Sequence, residues 1–319
     1  MSRPRLYISR RLPDAVMQAA RERYELIREP SDDQPSREEL AHGLQDADAA
    51  ICLLTDNVDD RLLAAAPRLR ILANYAVGYN NIDLAAAARR HIVVTNTPDV
   101  LTDATADLTW ALMLAVARRV TEGDALVRRG AWTGWAPTQL LGTDVSGAVL
   151  GIVGLGRIGQ AVARRAVGFG MPVRYASRQG QSSPGIPPEW HLRTLPELLR
   201  EADFLSLHVP LSAETRHLIG AKELAAMKPS AFLINTSRGP VVDEAALVAA
   251  LRSRTIAGAG LDVFEQEPAI HPGLRELPQV VLLPHLGSAT LATRIRMGMI
   301  CLENIAAVLA GRTAPNRVG

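Results

Sequence analysis

The residues of this chain that could do chemistry fall in a few short blocks. Gly154-Leu155-Gly156-Arg157-Ile158-Gly159 follows the apolar run AVLGIV and opens the stretch GQAVARRA, a strand, turn and helix in sequence. Gly154 permits the tight turn, Gly156 lets backbone approach a pyrophosphate, and Gly159 lets helix and strand pack closely. The helix N-terminus adds amide donors and partial positive charge, so the block reads as a dinucleotide-binding turn. Arg238 follows the apolar run AFLINTS and precedes a glycine, at the carboxyl edge of a strand, where ligands of such sheets bind. Its planar guanidinium suits a two-point grip on a carboxylate; the alternative on local sequence is an arginine bridging a neighbouring loop. His285 ends VVLLPH, just before Gly287, and is either a hydrogen-bonded structural residue or an acid–base group for chemistry near neutral pH. Glu265 and Glu267, in Glu265-Gln266-Glu267-Pro268, are two carboxylates that local sequence does not set apart from ordinary loop residues.

What the sequence omits also matters. An NAD-selective turn places a carboxylate about 20 residues beyond its glycines, at the end of the second strand, to accept from the ribose 2′-hydroxyl. Here that strand is Pro172-Val173-Arg174-Tyr175-Ala176, followed by Ser177, Arg178 and Gln179, and no Asp or Glu occurs between Gly154 and Glu189. Arg178 and Ser177 instead suit a 2′-phosphate, so NADP(H) is the expected cofactor, with NAD(H) also accommodated. The other histidines lack metal-ligand spacing, and no metal is expected. Neither GxSxG nor a Walker A motif nor a paired-carboxylate constellation occurs, which leaves hydrolase and kinase readings without support.

The elements that must position these residues alternate regularly. Strand-like RLYISR, YELIRE, AAICLL, RLRILANYA and HIVVTNT are separated by helical stretches, and a second series starts afresh at Ala148 with six strand candidates. This alternation predicts two parallel sheets covered by helices, an α/β fold. A long, mostly apolar helix runs from Thr102 to Arg119, and the aperiodic stretch from Val127 to Ser146, with Trp132 and Trp135, reads as an extended arm. The last helix, from about Ala289 to Leu309, has no strand after it. The chain has 319 residues, 48% hydrophobic and 21% charged, and a net charge of +2, enough for two domains and without a global field for nucleic acid or an anionic membrane. Cys52 and Cys301 sit in apolar runs and are expected to be buried reduced thiols; with no long apolar segment, a cytoplasmic protein is expected.

Taken together, the blocks VGYNNID (77–83), TNTPDVLTDATADL (95–108), GLGRIGQAVARR (154–165), HVPLSAETRHLI (208–219), INTSRGPVVDEAAL (234–247), GAGLDVFEQEP (258–268) and LLPHLGSAT (282–290) resemble the D-isomer-specific 2-hydroxyacid dehydrogenase family, most closely its glyoxylate/hydroxypyruvate reductases. The resemblance implies a flavodoxin-like substrate domain of residues 1–97 and 288–319, into which a Rossmann coenzyme domain of residues 98–287 is inserted. It implies a catalytic set of Arg238, Glu267 and His285, choosing Glu267 over Glu265 through the family pattern DVFxxEP. It further implies cofactor contacts from Thr105, Thr236 and Asp262 toward the nicotinamide, from Val209, Pro210 and Thr215 toward the adenosine, and from Ser237 and Gly287. Arg238 and His285 would touch both cofactor and substrate. The backbone amides of Val77 and Gly78 would receive the substrate carboxylate, and Trp135 would help set substrate size from a partner subunit in a homodimer. The implied activity is NADPH-preferring reduction of glyoxylate and hydroxypyruvate. Related readings are 2-ketogluconate reduction, 3-phosphoglycerate oxidation, for which the chain shows no added regulatory domain, and phosphite oxidation. A reading of another class is a nucleotide-sensing protein of the corepressor type.

Overall fold

Runs of a few residues in which nearly every side chain is apolar become strands buried on both faces, and the amphipathic stretches between them become the helices that bury them. The computed structural model describes residues 3–178 and 186–319. Its elements run β1 (Arg5–Ile8), α1 (Asp14–Arg23), β2 (Glu25–Leu26), α2 (Arg37–Gln45), β3 (Ala49–Cys52), α3 (Asp60–Ala64), β4 (Ile71–Asn74), α4 (Leu84–Arg89) and β5 (Val93–Thr95). They continue with α5 (Thr102–Ala117), α6 (Val120–Arg128), β6 (Leu150–Val153), α7 (Arg157–Arg165), β7 (Val173–Ala176), β8 (His191–Leu192), α8 (Leu195–Glu201), β9 (Phe204–Leu207) and α9 (Ala221–Ala225). Last come β10 (Phe232–Asn235), α10 (Glu244–Arg252), β11 (Gly258–Leu261), α11 (Pro272–Arg275), β12 (Val280–Leu282), α12 (Leu291–Leu309) and β13 (Arg317–Val318). The chain divides into two units, Met1–Leu101 with Ser288–Gly319, and Thr102–Gly287.

In the first unit the strand order is β13-β5-β4-β3-β1-β2, with β13 antiparallel and the others parallel. Alternate residues of the strands enter two cores. Leu6, Ile8, Ile51 and Ile71 pack with Val16 and Met17 of α1 and with Cys301 and Leu302 of α12, whereas Tyr7, Ala50 and Leu72 pack with Leu40, Leu44 and Leu62. A Cβ on Gly298 would come within 2.5 Å of Val16, so a glycine is what lets α12 and α1 approach.

The second unit is a parallel sheet in the order β12-β11-β10-β9-β6-β7-β8. The chain runs outward from β6 through β7 to β8, then returns to β9 on the other side of β6. Loops that leave β6 and β9 therefore diverge at their carboxyl ends, which opens the crevice where such sheets bind ligands. One face is covered by α5 and α7, where Trp110 stacks on Phe169 at 4.6 Å and donates from Nε1 to the Val162 carbonyl. The other face is covered by α8, α9 and α10 through Leu198, Leu224, Leu247 and Leu251.

The parallel-sheet α/β architecture read from the sequence holds, with three differences. A strand does follow the last helix: β13, only two residues long, pairs with β5 through Arg317 opposite Thr95, and two residues carry no periodicity to read. The second sheet likewise gains the two-residue β8. Val120–Arg128 is a separate helix with no buried residue, set off from α5 by Arg119 in the left-handed conformation (φ 53°), so the irregular arm begins after it. Both cysteines are buried and unbridged. The loop QGQSSPGIPP, except for Ile186, Pro187 and Pro188, lies outside the described residues. Among the described residues no helix is long and apolar enough to cross a membrane.

One partly buried titratable group is expected to make the second unit acid-sensitive. His208, just after β9, is partly buried and hydrogen-bonded to Ser206 Oγ at 2.8 Å, and desolvation pushes its imidazole down to about 3. An unfolded histidine titrates near 6.5. Between these values the unfolded chain holds a proton that the folded chain refuses, so this group's contribution to stability is intact above about 6.5 and is lost as pH falls toward 3, by up to about 1.4 kcal/mol per pH unit. His208→Gln, which cannot titrate, should flatten the acid limb of a Tm-against-pH curve relative to the wild type. Parallel acid limbs would assign the sensitivity elsewhere.

Candidate active site

The residues singled out in the second unit lie where its strands end. Gly154 follows β6, Ser177 and Arg178 follow β7, Val209 and Pro210 follow β9, Thr236 to Arg238 follow β10, Asp262 follows β11, and His285 follows β12. The connecting loops are held to one another by hydrogen bonds that fix each functional side chain.

The turn after β6 fits a dinucleotide. Gly154 has φ +92°, and a Cβ there would stand 2.7 Å from the His208 carbonyl; a Cβ on Gly159 would stand 2.2 Å from the Gly154 carbonyl. Both positions exclude a side chain, whereas a Cβ on Gly156 would meet nothing within 4 Å. Gly156 is the N-cap of α7, so the first amides of that helix face open space beside a residue without a side chain, the arrangement that receives a phosphate. Leu155 is buried beneath the turn, while Arg157 and Ile158 form the first turn of α7. In the neighbouring loop the Thr215 hydroxyl donates to the Pro210 carbonyl at 2.6 Å and accepts from the Ser212 amide at 2.8 Å, which pins residues 210–215.

His285 and Glu267 meet directly: Nδ1 lies 2.8 Å from Oε2, and each side chain is 26% exposed. A carboxylate only accepts, so Nδ1 carries the hydrogen and Nε2 is left for proton exchange. The second oxygen of Glu267 accepts from the Phe264 amide at 3.0 Å. Burial would raise this carboxyl, but the His285 hydrogen bond and charge, the Phe264 amide and Arg238 together hold it below its ordinary range. Glu265 is engaged elsewhere, 2.5 Å from His217 Nε2. The two carboxylates that local sequence left equivalent are thus separated by their partners.

Arg238 stands beside this pair. Its Nη1 donates to the Ser237 carbonyl at 2.7 Å; desolvation lowers its pKa, and the charge of Glu267 opposes that shift. Its backbone is fixed by Asn235, whose amide donates to the Arg238 carbonyl at 3.0 Å and whose carbonyl accepts from the Ser237 amide and hydroxyl. Gly239 is obligatory, because a Cβ there would fall 1.9 Å from the Phe264 carbonyl. Asn235 carried no signal in the sequence, whereas Gly239 was visible there only as the glycine after Arg238.

Asp262 does something its sequence context did not reveal. Buried to 1% exposure, it accepts from the Leu286 amide at 2.6 Å and the Gly287 amide at 2.8 Å, and its backbone carbonyl accepts from the His285 amide at 3.0 Å. Desolvation raises its carboxyl, a shift that these amides and His285 partly offset. His285 is thereby held at φ +55°, a left-handed conformation that costs a side-chain-bearing residue about 1–2 kcal/mol. Thr105 of α5 donates to the Gly287 carbonyl at 3.0 Å, and Thr109, which the sequence reading missed, shares a 2.9 Å hydrogen bond with Thr236. Trp135 is 82% exposed in the arm after α6.

In the first unit, Val77 and Gly78 lie in the loop after β4. The carbonyls of Ala76, Val77 and Gly78 are held respectively by the Thr97 amide at 2.9 Å, Asn96 Nδ2 at 2.8 Å and Asn74 Nδ2 at 2.8 Å. In a trans peptide the N–H points opposite the carbonyl, so fixing the carbonyls also aims the amides of Val77 and Gly78.

Residues 110–287 match the model of the D-isomer specific 2-hydroxyacid dehydrogenase, NAD binding domain. That match spans more than half of the chain. The chain belongs to the D-isomer specific 2-hydroxyacid dehydrogenase family. As a member it is an NAD(P)-dependent dehydrogenase with a nicotinamide cofactor. This dehydrogenase is 50% identical to the glyoxylate reductase of Thermococcus litoralis, over 99% of this chain and 97% of that one, and 49% identical to the glyoxylate reductase of Korarchaeum cryptofilum, over 99% and 96%. Among solved structures it is similar to the NADPH-dependent glyoxylate/hydroxypyruvate reductase of Sinorhizobium meliloti in complex with NADP and malonate, with TM-score 0.89 and 36% identity over 100% of this chain and 97% of that one.

The Asp262 geometry carries a test. In Asp262→Asn an NH2 group faces one of the two amide donors, leaving it unsatisfied in a buried place. We expect a loss of about 1.5–3 kcal/mol in denaturant-derived stability, together with displacement of His285 from Glu267 in the crystal structure of the variant. Wild-type stability with an unmoved His285 would refute the positioning role of Asp262.

Proposed function

We propose that this dehydrogenase reduces small 2-keto acids, glyoxylate and hydroxypyruvate above others, to the corresponding 2-hydroxy acids with NADPH as the preferred cofactor. The observation that carries the reading is the grouping of Arg238, Glu267 and His285 at the carboxyl end of a parallel sheet beside a dinucleotide turn. The names of the similar reductases support the choice of substrate.

The nicotinamide, when bound, supplies the hydride that reaches the substrate's C2. Within that scheme His285 Nε2 gives its proton to the carbonyl oxygen as the oxygen becomes a hydroxyl, and takes it back in the oxidative direction. Glu267 fixes the tautomer and orients the ring through Nδ1. Arg238 grips the carboxylate with its planar fork; in the first unit, the aimed amides of Val77 and Gly78 are donors suited to a carboxylate. Gly154 to Gly159 receive the pyrophosphate; Thr105, Thr236, Ser237, Asp262 and Gly287 border the nicotinamide, and Val209, Pro210 and Thr215 the adenosine. Residues 98–287 then serve as the coenzyme domain and residues 1–97 with 288–319 as the substrate domain.

The exposed apolar side chains of the second unit support a homodimer. Val120 and Val127 of α6, with Trp132, Trp135 and Leu141 of the following arm, are each more than half exposed, and together they suit burial against a second copy of the chain.

Assays of glyoxylate, hydroxypyruvate, pyruvate, 2-ketogluconate and phosphite with each cofactor test the substrate assignment directly; higher kcat/KM for another acid than for the first two would overturn it. Arg238→Lys replaces the fork by a point charge and should raise KM and lower kcat, a combined loss on the order of tenfold or more in kcat/KM. Wild-type kinetics in that variant would remove Arg238 from carboxylate binding.

Trp135→Ala is expected to change the ratio of glyoxylate to hydroxypyruvate turnover while the protein remains a dimer by light scattering. Loss of the dimer with an unchanged ratio would make Trp135 an anchor of the interface only.

A further inference from the structure

The acid that the sequence lacks after β7 has a counterpart in another loop. β7, β6 and β9 are neighbours, with Val153, the last residue of β6, in register with Ala176 on one side and Leu207 on the other. The loops that leave these three strands therefore emerge side by side. Adjacent strands are about 4.8 Å apart, so the ends of β7 and β9 are separated by roughly two strand spacings, with Arg178 two residues beyond the first end and Glu214 seven beyond the second. Arg178 stands exposed on the first of these loops and Glu214 exposed on the second, with the glycine turn between them.

Glu214 is held in place although it is exposed. Its Oε2 accepts from the Ser212 hydroxyl at 2.6 Å, and the loop that carries it is pinned through Thr215 to the Pro210 carbonyl and the Ser212 amide. The Ser212 hydrogen bond above all, then its own backbone amide and, least, the positive charge of Arg178 hold this carboxyl below its ordinary range. A fixed carboxylate within electrostatic range of an arginine there would act on a ribose in two opposite ways. It accepts a hydrogen bond from a 2′-hydroxyl, and it repels a 2′-phosphate while competing with it for the guanidinium.

We propose that Glu214 limits the selectivity of this dehydrogenase between NADPH and NADH, supplying from the loop after β9 the acceptor that NAD-selective sites carry after their second strand. Arg178 draws the 2′-phosphate, Glu214 opposes it, and the balance of the two sets the preference. The inference rests on the assignment of Arg178 to the 2′-phosphate made above, and concerns a residue that plays no part in hydride transfer.

The test is binding, measured by isothermal titration of the purified protein with NADPH and with NADH separately, in the wild type, Glu214→Gln, Arg178→Ala and the double variant. Thermal unfolding establishes that each variant folds; both residues are exposed and neither fills a core. Glu214→Gln should raise the ratio of NADPH to NADH affinity at least threefold, tightening the first and weakening the second, as expected of charges at a solvated surface. A smaller change in that ratio, or one in the opposite direction, overturns the role of Glu214. Arg178→Ala separates the two assignments: weaker NADPH binding with unchanged NADH binding upholds the 2′-phosphate contact whatever Glu214 does, whereas equal effects on both cofactors remove that contact. In the Arg178→Ala background the gain in NADPH affinity from Glu214→Gln should shrink, because part of it is the release of the guanidinium. An undiminished gain overturns the competition between the two side chains.

Discussion

The carboxylate of Asp262 ties the end of β11 to the chain leaving β12. It sits in a buried place where a charge is costly, and two amides and the neighbouring His285 partly offset the lost hydration. With Leu286 and Gly287 drawn onto its oxygens and the His285 amide on its backbone carbonyl, the chain reverses at His285 in a conformation that the residue would not choose alone. The imidazole then meets Glu267, itself anchored on the Phe264 amide. The same segment, through Phe264, packs against Gly239 so tightly that only glycine fits, which places Arg238 beside the acid–base pair. Without the buried carboxylate the chain that follows His285 loses its two amide anchors, and with them the imidazole's place against Glu267.

That frame works because it stands on rigid elements. The short strands of the second unit are packed between helices, so their carboxyl ends are fixed points from which short loops depart. The reversal of strand order at β6 parts two of those loops and leaves the glycine turn with open space at Gly156. Side-chain hydrogen bonds then do locally what the sheet does globally: Asn235 braces the loop of Arg238, Thr215 braces the loop of Glu214, and Thr105 and Thr109 tie α5 to the loops after β12 and β10. The loop at Val77 and Gly78 in the first unit follows the same rule, with three successive carbonyls held so that the amides are aimed.

The division between what could be read from the chain and what required the fold follows from the range of the forces involved. Strand and helix alternation, the glycine turn and the missing acid after β7 are legible because each depends on residues a few positions apart: hydrophobic periodicity, φ freedom at glycine and chain order along a strand are local properties. The two-residue strands β8 and β13 were not legible, since they exist only through pairing with Arg174 and Tyr175 or with Val94 and Thr95. On local sequence Glu265 and Glu267 are indistinguishable, and family likeness was needed to prefer one. Tertiary structure separates them physically, because His217 and His285 are brought from 48 and 18 residues away to take one each. Asp262, Asn235 and Glu214 show the same limit. Their residue types are visible in the sequence, but a carboxylate or an amide acquires a role from the donor it faces, and that donor is chosen by the packing of the sheet.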